Sequence, residues 1–396
     1  MHEPESRRLS RRYRQRIRRA EHQRRATVPI AVVRLFQSLD REPSRQVAYY
    51  DPGVGTIWEP GTLSKVSQKI QMLLGLAFGL GVTGNVTEAY LFLMQQHQAG
   101  DCVHIFGFSR GALEARALAA LIHRCGLLRA ELLSLESYAM RLFQSPDNFA
   151  VVDSFKETFS RMVEVEFLGL WDTVTSMGNV WSPIHWPNTA KNSCVRRVAH
   201  AIAIDERRAF FRPNRWTALP NQTVSEVWFA GVHSDVGGGY DPATSRLWAI
   251  PLAWMAGHAR AAGVAIADAP LETISAAGRT STPDYATGQH DSLTGAWKAL
   301  ELVPKTHRTR RADGSFDRPR LLIPAAETGL RGRPRTLLPG EQVDLTAIQR
   351  FVALPTYRPD TLTTAGLNLE TAQRFLATGG DVWMVPGSGR TTGGDV

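Results

Sequence analysis

A serine acts as a nucleophile when its hydroxyl stands clear of regular structure and a base can reach it. Gly107-Phe108-Ser109-Arg110-Gly111 meets the first condition. Before it, Cys102-Val103-His104-Ile105-Phe106 reads as a buried strand. After it, residues 112–125 read as a helix that Gly126 ends. Strand, G-x-S-x-G and helix together make a nucleophile elbow, a turn so sharp that the serine projects from the strand end. Gly107 and Gly111 are small enough for strand and helix to meet there. The Arg110 backbone N–H, at the helix N-terminus, is the expected oxyanion donor. The competing reading is an ordinary strand–helix turn in which the serine caps the helix.

The second condition needs a histidine, and the histidine needs an acid to hold its tautomer. In this kind of sheet the chain order is serine, acid, histidine. Two strand ends downstream fit. Asp172 follows the strand 165–170, and His233 follows a strand that begins at Glu226. Catalytic groups of parallel sheets gather at the carboxyl ends of strands, so Asp172 is the expected orienting acid and His233 the general base. Asp235 competes for the first role and His290 for the second. Gly237-Gly238-Gly239 brings backbone close to something; as a phosphate nest it lacks the Lys-Ser/Thr that a P-loop carries.

The elements that must carry these groups alternate. Helical patterns cover 63–80 and 85–97, the latter opened by the capping box Asn85-Val86-Thr87-Glu88, and continue from 126 to about 163. Residues 194–204 read as a helix, 226–232 as a strand and 246–262 as a helix. Residues 29–38 form a short helix or strand, and 46–50 a short β run before the turn 51–55. Strands separated by helices predict an α/β fold of the α/β-hydrolase type, with a mostly parallel central sheet and helices on both faces. We divide the chain into a basic arm (1–28), a catalytic domain (29–300) and an Arg/Pro-rich irregular C-terminal region (301–396), within which 305–335 reads as an extended surface segment.

The net charge of +9 has one source. Residues 7–25 hold ten Arg and one Glu, so the rest of the chain is near neutral. Such a run can meet nucleic acid or an anionic membrane surface; the plainer reading is a solvated arm, and nucleic acid is not an expected partner. Cys102, Cys125 and Cys194 are too scattered for a metal site, and Cys102 reads as a buried small side chain. No metal or cofactor is expected. No apolar stretch of signal-peptide type follows the arginines, and 72–82, the most apolar run, is too short to cross a bilayer. The chain is expected to be cytoplasmic as made.

Five segments in order, Tyr49-Tyr50-Asp51-Pro52-Gly53-Val54-Gly55-Thr56, Gly107-Phe108-Ser109-Arg110-Gly111-Ala112, Leu170-Trp171-Asp172-Thr173-Val174, Ala203-Ile204-Asp205-Glu206-Arg207-Arg208 and Gly231 to Tyr240, resemble the catalytic domain of type VI secretion phospholipase effectors of the first lipase class. The resemblance spans about residues 30–300. It implies a Ser-Asp-His triad, phospholipid ester hydrolysis, contact with a membrane surface, and export through a secretion machine that needs no cleaved signal. The family usually opens with an apolar strand ending in Asp-Gly-Thr-x-Asn, where this chain has its arginine arm, so Met1 is open to question as the true start. The missing loop would supply a second oxyanion donor, worth on the order of 3 kcal/mol. Where relatives carry a His-x-Ser element, this chain reads Val343-Asp344-Leu345-Thr346. The expectation is therefore a serine hydrolase of lipid esters, impaired by the loss of that strand. The alternatives are a non-lipid esterase and a non-catalytic binding or structural descendant.

Overall fold

The computed structural model describes residues 29–52, 82–145, 149–174, 178–179, 182–183, 186–307 and 320–386. The arginine arm, turn residues 53–55, the apolar pattern 63–80 and residues 308–319 lie outside the described residues.

One six-stranded sheet organises the chain: β1 (Val103–Phe108), β2 (Val165–Trp171), β3 (Val195–Ala203), β4 (Thr223–Phe229), β5 (Gln342–Asp344) and β6 (Val382–Met384), adjacent in that order. The first five run parallel and β6 is antiparallel to β5. Among the described residues β1 pairs only with β2. Side chains alternate across β2: Leu168 and Leu170 pack towards α2 (Val82–Gln96), α3 (Arg110–Cys125), α4 (Glu136–Gln144) and α5 (Phe149–Phe159). Phe167 and Trp171 pack towards α1 (Ala31–Ser38) and α7 (Ala249–Ala261). The short helix α6 (His233–Gly237) lies between β4 and α7. This is the α/β-hydrolase-like arrangement, a mostly parallel sheet covered on both faces.

Five local readings need correction. Residues 194–204 do not form a helix: Val195–Ala203 is strand β3, held in register between β2 and β4. From Val198 to Ala203 every residue is buried, so the alternation that marks a half-exposed strand is lost, and the small alanines suit either period. Asn85 caps nothing. Helix α2 already runs from Val82, and the Asn85 amide donates to the Glu114 carboxylate at 3.3 Å. Residues 46–50 form no strand; instead the Gln46 side chain pairs with the Ala265 backbone, donating at 3.1 Å and accepting at 3.0 Å. Cys102 is exposed just ahead of β1. The C-terminal region is not irregular: β5, β6, α8 (Leu345–Ala353) and α9 (Leu369–Thr378) build a third apolar cluster with Ile202, Trp228 and Val343, continuous with the sheet. Strands of three residues carry too little periodicity to announce themselves.

Candidate active site

The parallel register puts the strand ends of β1 to β4 side by side, and the ladder continues past them. Ser109 N–H donates to Trp171 O at 3.0 Å, Asp172 N–H to Ala201 O at 2.7 Å, and Ile204 N–H to Phe229 O at 2.9 Å. Ser109 and Asp172 thus stand on neighbouring strand ends. Four described non-glycine residues have positive φ: Asn188, Asn221, Ser109 (60°) and Asp172 (39°). Asparagine and aspartate tolerate this region; serine is held there by its surroundings, and such strain gathers at functional sites.

Gly107 is required by the elbow. A Cβ there would fall 2.3 Å from Gly111 O and 2.5 Å from Ala112 Cα. The same steric argument does not extend to Gly111, whose Cβ would meet nothing described within 4 Å. Arg110 is the first residue of α3, as an oxyanion donor in this turn must be. The triple glycine is a packing device: a Cβ on Gly237 would lie 1.9 Å from the Phe108 ring, and one on Gly238 would lie 2.8 Å from Ala31 N.

Asp172 and His233 come together. His233 Nδ1 donates to Asp172 Oδ2 at 2.6 Å, with both side chains buried. The imidazole lies against the Phe108 ring (4.6 Å between centroids), and the Phe211 edge meets it at 4.7 Å. With Nδ1 occupied, Nε2 is the nitrogen left for proton transfer. It makes no hydrogen bond to a described residue, and neither does Ser109 Oγ. Asp172 and His233 are joined, and Ser109, on the strand end next to Asp172, makes no side-chain hydrogen bond to either. Such contacts are often long until substrate binds. Burial lowers the His233 pKa, Asp172 pulls it up, Arg208 pushes it down and Glu206 pulls it up, with a net fall.

Asp235 and His290 form a separate pair. His290 Nδ1 donates to Asp235 Oδ1 at 2.8 Å, its backbone N–H to Oδ2 at 3.2 Å, and its ring stacks on Tyr240 at 3.6 Å.

The sequence reading missed three groups around the site. Glu206 accepts the His233 backbone N–H at 3.2 Å, a bidentate pair from Arg208 and the Ser292 hydroxyl. Burial would raise its carboxyl, but Arg208 holds it at about 2. Arg208 in turn lies over Phe211 and Trp297. Arg335, fully buried, donates to both oxygens of Asp172 at 2.6 and 2.9 Å. The Ala203-to-Arg208 motif was a visible signal for the first two. Arg335 had none, since it stands 163 residues from its partner. Among the described residues no group of three His, Cys, Asp or Glu is placed to hold a metal ion, and no helix is long and apolar enough to cross a membrane.

Comparison with known proteins gives one family. The model of the T6SS phospholipase effector Tle1-like catalytic domain matches residues 18–258, more than half of the chain. An uncharacterized protein of Saccharomyces cerevisiae, YEL023C, is 32% identical over 206 residues, which is 48% of this chain and 30% of the yeast protein. Two solved structures are each 21% identical. An uncharacterized protein from Pseudomonas aeruginosa covers 65% of this chain and 46% of its own, with a TM-score of 0.38. The Tle1 effector bound to the VgrG spike covers 46% of this chain and 34% of its own, with a TM-score of 0.26. The chain spans less than half the length of these relatives.

Proposed function

The chain belongs to the family of type VI secretion phospholipase effectors with a Tle1-like catalytic domain, and on that premise we propose that it is a serine hydrolase of lipid esters acting through Ser109, His233 and Asp172. The observation that carries the reading is the 2.6 Å bond from His233 Nδ1 to Asp172 at the strand end next to the strained Ser109. Ser109 Oγ attacks the ester carbonyl while its proton passes to His233 Nε2. The oxyanion of the tetrahedral intermediate takes a hydrogen bond from Arg110 N–H. Collapse breaks the C–O bond, and His233 returns the proton to the departing alcohol. Water, deprotonated by His233, then frees the fatty acid from Ser109. Phe108 and Phe211 flank the His233 ring and Trp297 packs on Phe211, apolar side chains of the kind an acyl chain would meet.

The test is covalent labelling by a fluorophosphonate, with hydrolysis of phospholipid vesicles and of a short p-nitrophenyl ester as readouts. Wild type should be labelled and should prefer vesicles, and Ser109→Ala should lose both activities while keeping its melting temperature. Equal labelling of the two proteins removes Ser109 from the mechanism. A preference for the soluble ester makes the chain a general esterase.

A second reading is a binding protein that keeps the fold without turnover. A folded wild type that neither labels nor turns over any ester would establish it. The Tle1 effector is seen on a VgrG spike. We extend that partner class to this chain, and co-purification with a spike protein tests it.

A further inference from the structure

The most unusual feature near the proposed triad comes from outside the matched catalytic segment. Arg335 grips the acid itself. Its Nη1 donates to Asp172 Oδ1 at 2.6 Å and to Ala203 O at 2.7 Å; its Nη2 donates to Asp172 Oδ2 at 2.9 Å and to Phe211 O at 2.5 Å. The side chain has no exposed surface. The segment before it is moored to the same loop: Arg333 N–H donates to Arg207 O at 2.9 Å, and Gly332 lies so close to Arg207 that a Cβ would fall 2.7 Å from its carbonyl oxygen. One guanidinium therefore ties the acid, the end of β3 and the loop that bears Phe211, whose ring walls the imidazole.

We propose that Arg335 is a positioning residue for the triad, fixing the plane of the Asp172 carboxylate and offsetting its charge so that His233 stays neutral, and competent as a base, in more acidic solution than an uncompensated Asp–His pair would allow. This rests on the triad reading above. Two physical arguments support it. The fork geometry of arginine holds both carboxylate oxygens, so Oδ2 has one direction in which to accept from Nδ1. A carboxylate raises a neighbouring imidazole's pKa by its negative charge, and a guanidinium under 3 Å from both oxygens cancels much of that field. The other charges acting on this pair are Glu206, whose carboxylate meets the His233 backbone, and the cationic Arg208; Arg212 acts on Arg335 and Glu206. Glu206 is already paired with Arg208, so Arg335 is the cation that decides the balance at Asp172.

The experiment compares wild type, Arg335→Met and Arg335→Lys by the pH dependence of kcat/KM on a soluble ester. The His233 imidazole is also titrated by NMR in a Ser109→Ala background, which needs no activity. Arg335→Met should move the acid limb and the imidazole titration to higher pH by about one unit or more, with kcat reduced. Arg335→Lys keeps the charge and loses the fork, so its acid limb should stay near wild type while kcat falls. Unchanged His233 titration in folded Arg335→Met would overturn the proposal. So would full kcat in Arg335→Lys, because the fork would then be irrelevant. Should Arg335→Met not fold, a titration in Arg335→Lys displaced upward from wild type would equally count against it, and one at the wild-type position would support it. If no protein turns over ester, the triad reading fails, and the NMR titration still decides whether Arg335 sets the imidazole.

Discussion

Asp172 meets His233, and Asp235 meets His290, through the same atoms: a carboxylate oxygen and Nδ1, at 2.6 and 2.8 Å. Their surroundings separate them. Asp172 stands at a strand end beside the elbow, gripped by a buried arginine, and its histidine is sealed between phenylalanines with Nε2 unengaged. Asp235 lies inside α6. Its Oδ2 accepts Val232 N–H at 3.2 Å, capping that helix, and also the His290 backbone N–H. Nε2 of His290 lies 3.3 Å from Thr244 Oγ1 and its ring is stacked under Tyr240. His290 thus joins two segments through Thr244 and Tyr240, whereas Nε2 of His233 has no partner among the described residues and is open to a hydroxyl. The difference is in what lies around the pair, and the pair alone would not reveal it.

The sharpest way to break this comparison is to neutralise each acid in turn. Asp172→Asn should lower kcat by about 10³–10⁴, because an amide opposite Nδ1 favours the wrong tautomer of His233. Asp235→Asn should cost less than about tenfold, through slackening of the segment that carries His233. Steady-state kinetics on one ester measure both. If the larger loss follows Asp235→Asn, the roles are reversed and His290 is the base.

Next in size is a loss of stability without a matching loss of chemistry. His290→Ala leaves the Asp235 carboxylate buried with backbone donors alone. An unsatisfied buried acceptor costs about 1–3 kcal/mol. Thermal unfolding should show a fall of a few degrees, while the rate per labelled molecule stays within a few-fold of wild type. A loss of a hundredfold or more in a protein with unchanged melting would place His290 in the chemistry.

How far these arrangements are legible in the sequence depends on how local they are. The elbow is legible because strand, turn and helix are contiguous. Ser109, Asp172 and His233 sit at strand ends that could be found one by one, and the parallel sheet follows from the alternation of elements. Strand β3 was misread because a central strand buried on both faces, rich in small alanines, has no period of its own. The grip of Arg335 on Asp172 was invisible because it joins two distant segments and no spacing encodes it; the same is true of the C-terminal strands that extend the sheet. What the sequence conceals is what decides between the two Asp–His pairs, since both read as an acid and a histidine near glycines.

A half-buried carboxylate away from both pairs, where burial outweighs a neighbouring cation, gives the smallest effect. Glu114 lies one turn beyond Arg110 in α3, and it accepts side-chain hydrogen bonds from the Asn85 amide at 3.3 Å. Burial raises its pKa, Asn85 opposes this, Asp51 adds to it and Arg110 opposes it; the result is about 7. An unfolded glutamate titrates near ~4.3. Because the folded value is the higher one, the folded state holds the proton more tightly, and ionisation costs stability as pH rises from about 4.3 through 7. Above pH 7 the cost levels off. Glu114→Gln keeps a group for Asn85 and carries no charge, so it should match wild type near pH 5 and melt roughly 2–4 °C higher at pH 8.5. Asp172 shows the opposite sign: burial pushes its carboxyl up, but Arg335 and His233 together hold it well below the usual range, so its charge supports folding at neutral pH. Melting curves of the two proteins at pH 5, 7 and 8.5 read the effect of Glu114 directly. If the curves stay parallel across that range, Glu114 is ionised at neutral pH like a surface glutamate, and burial does not outweigh Arg110 there.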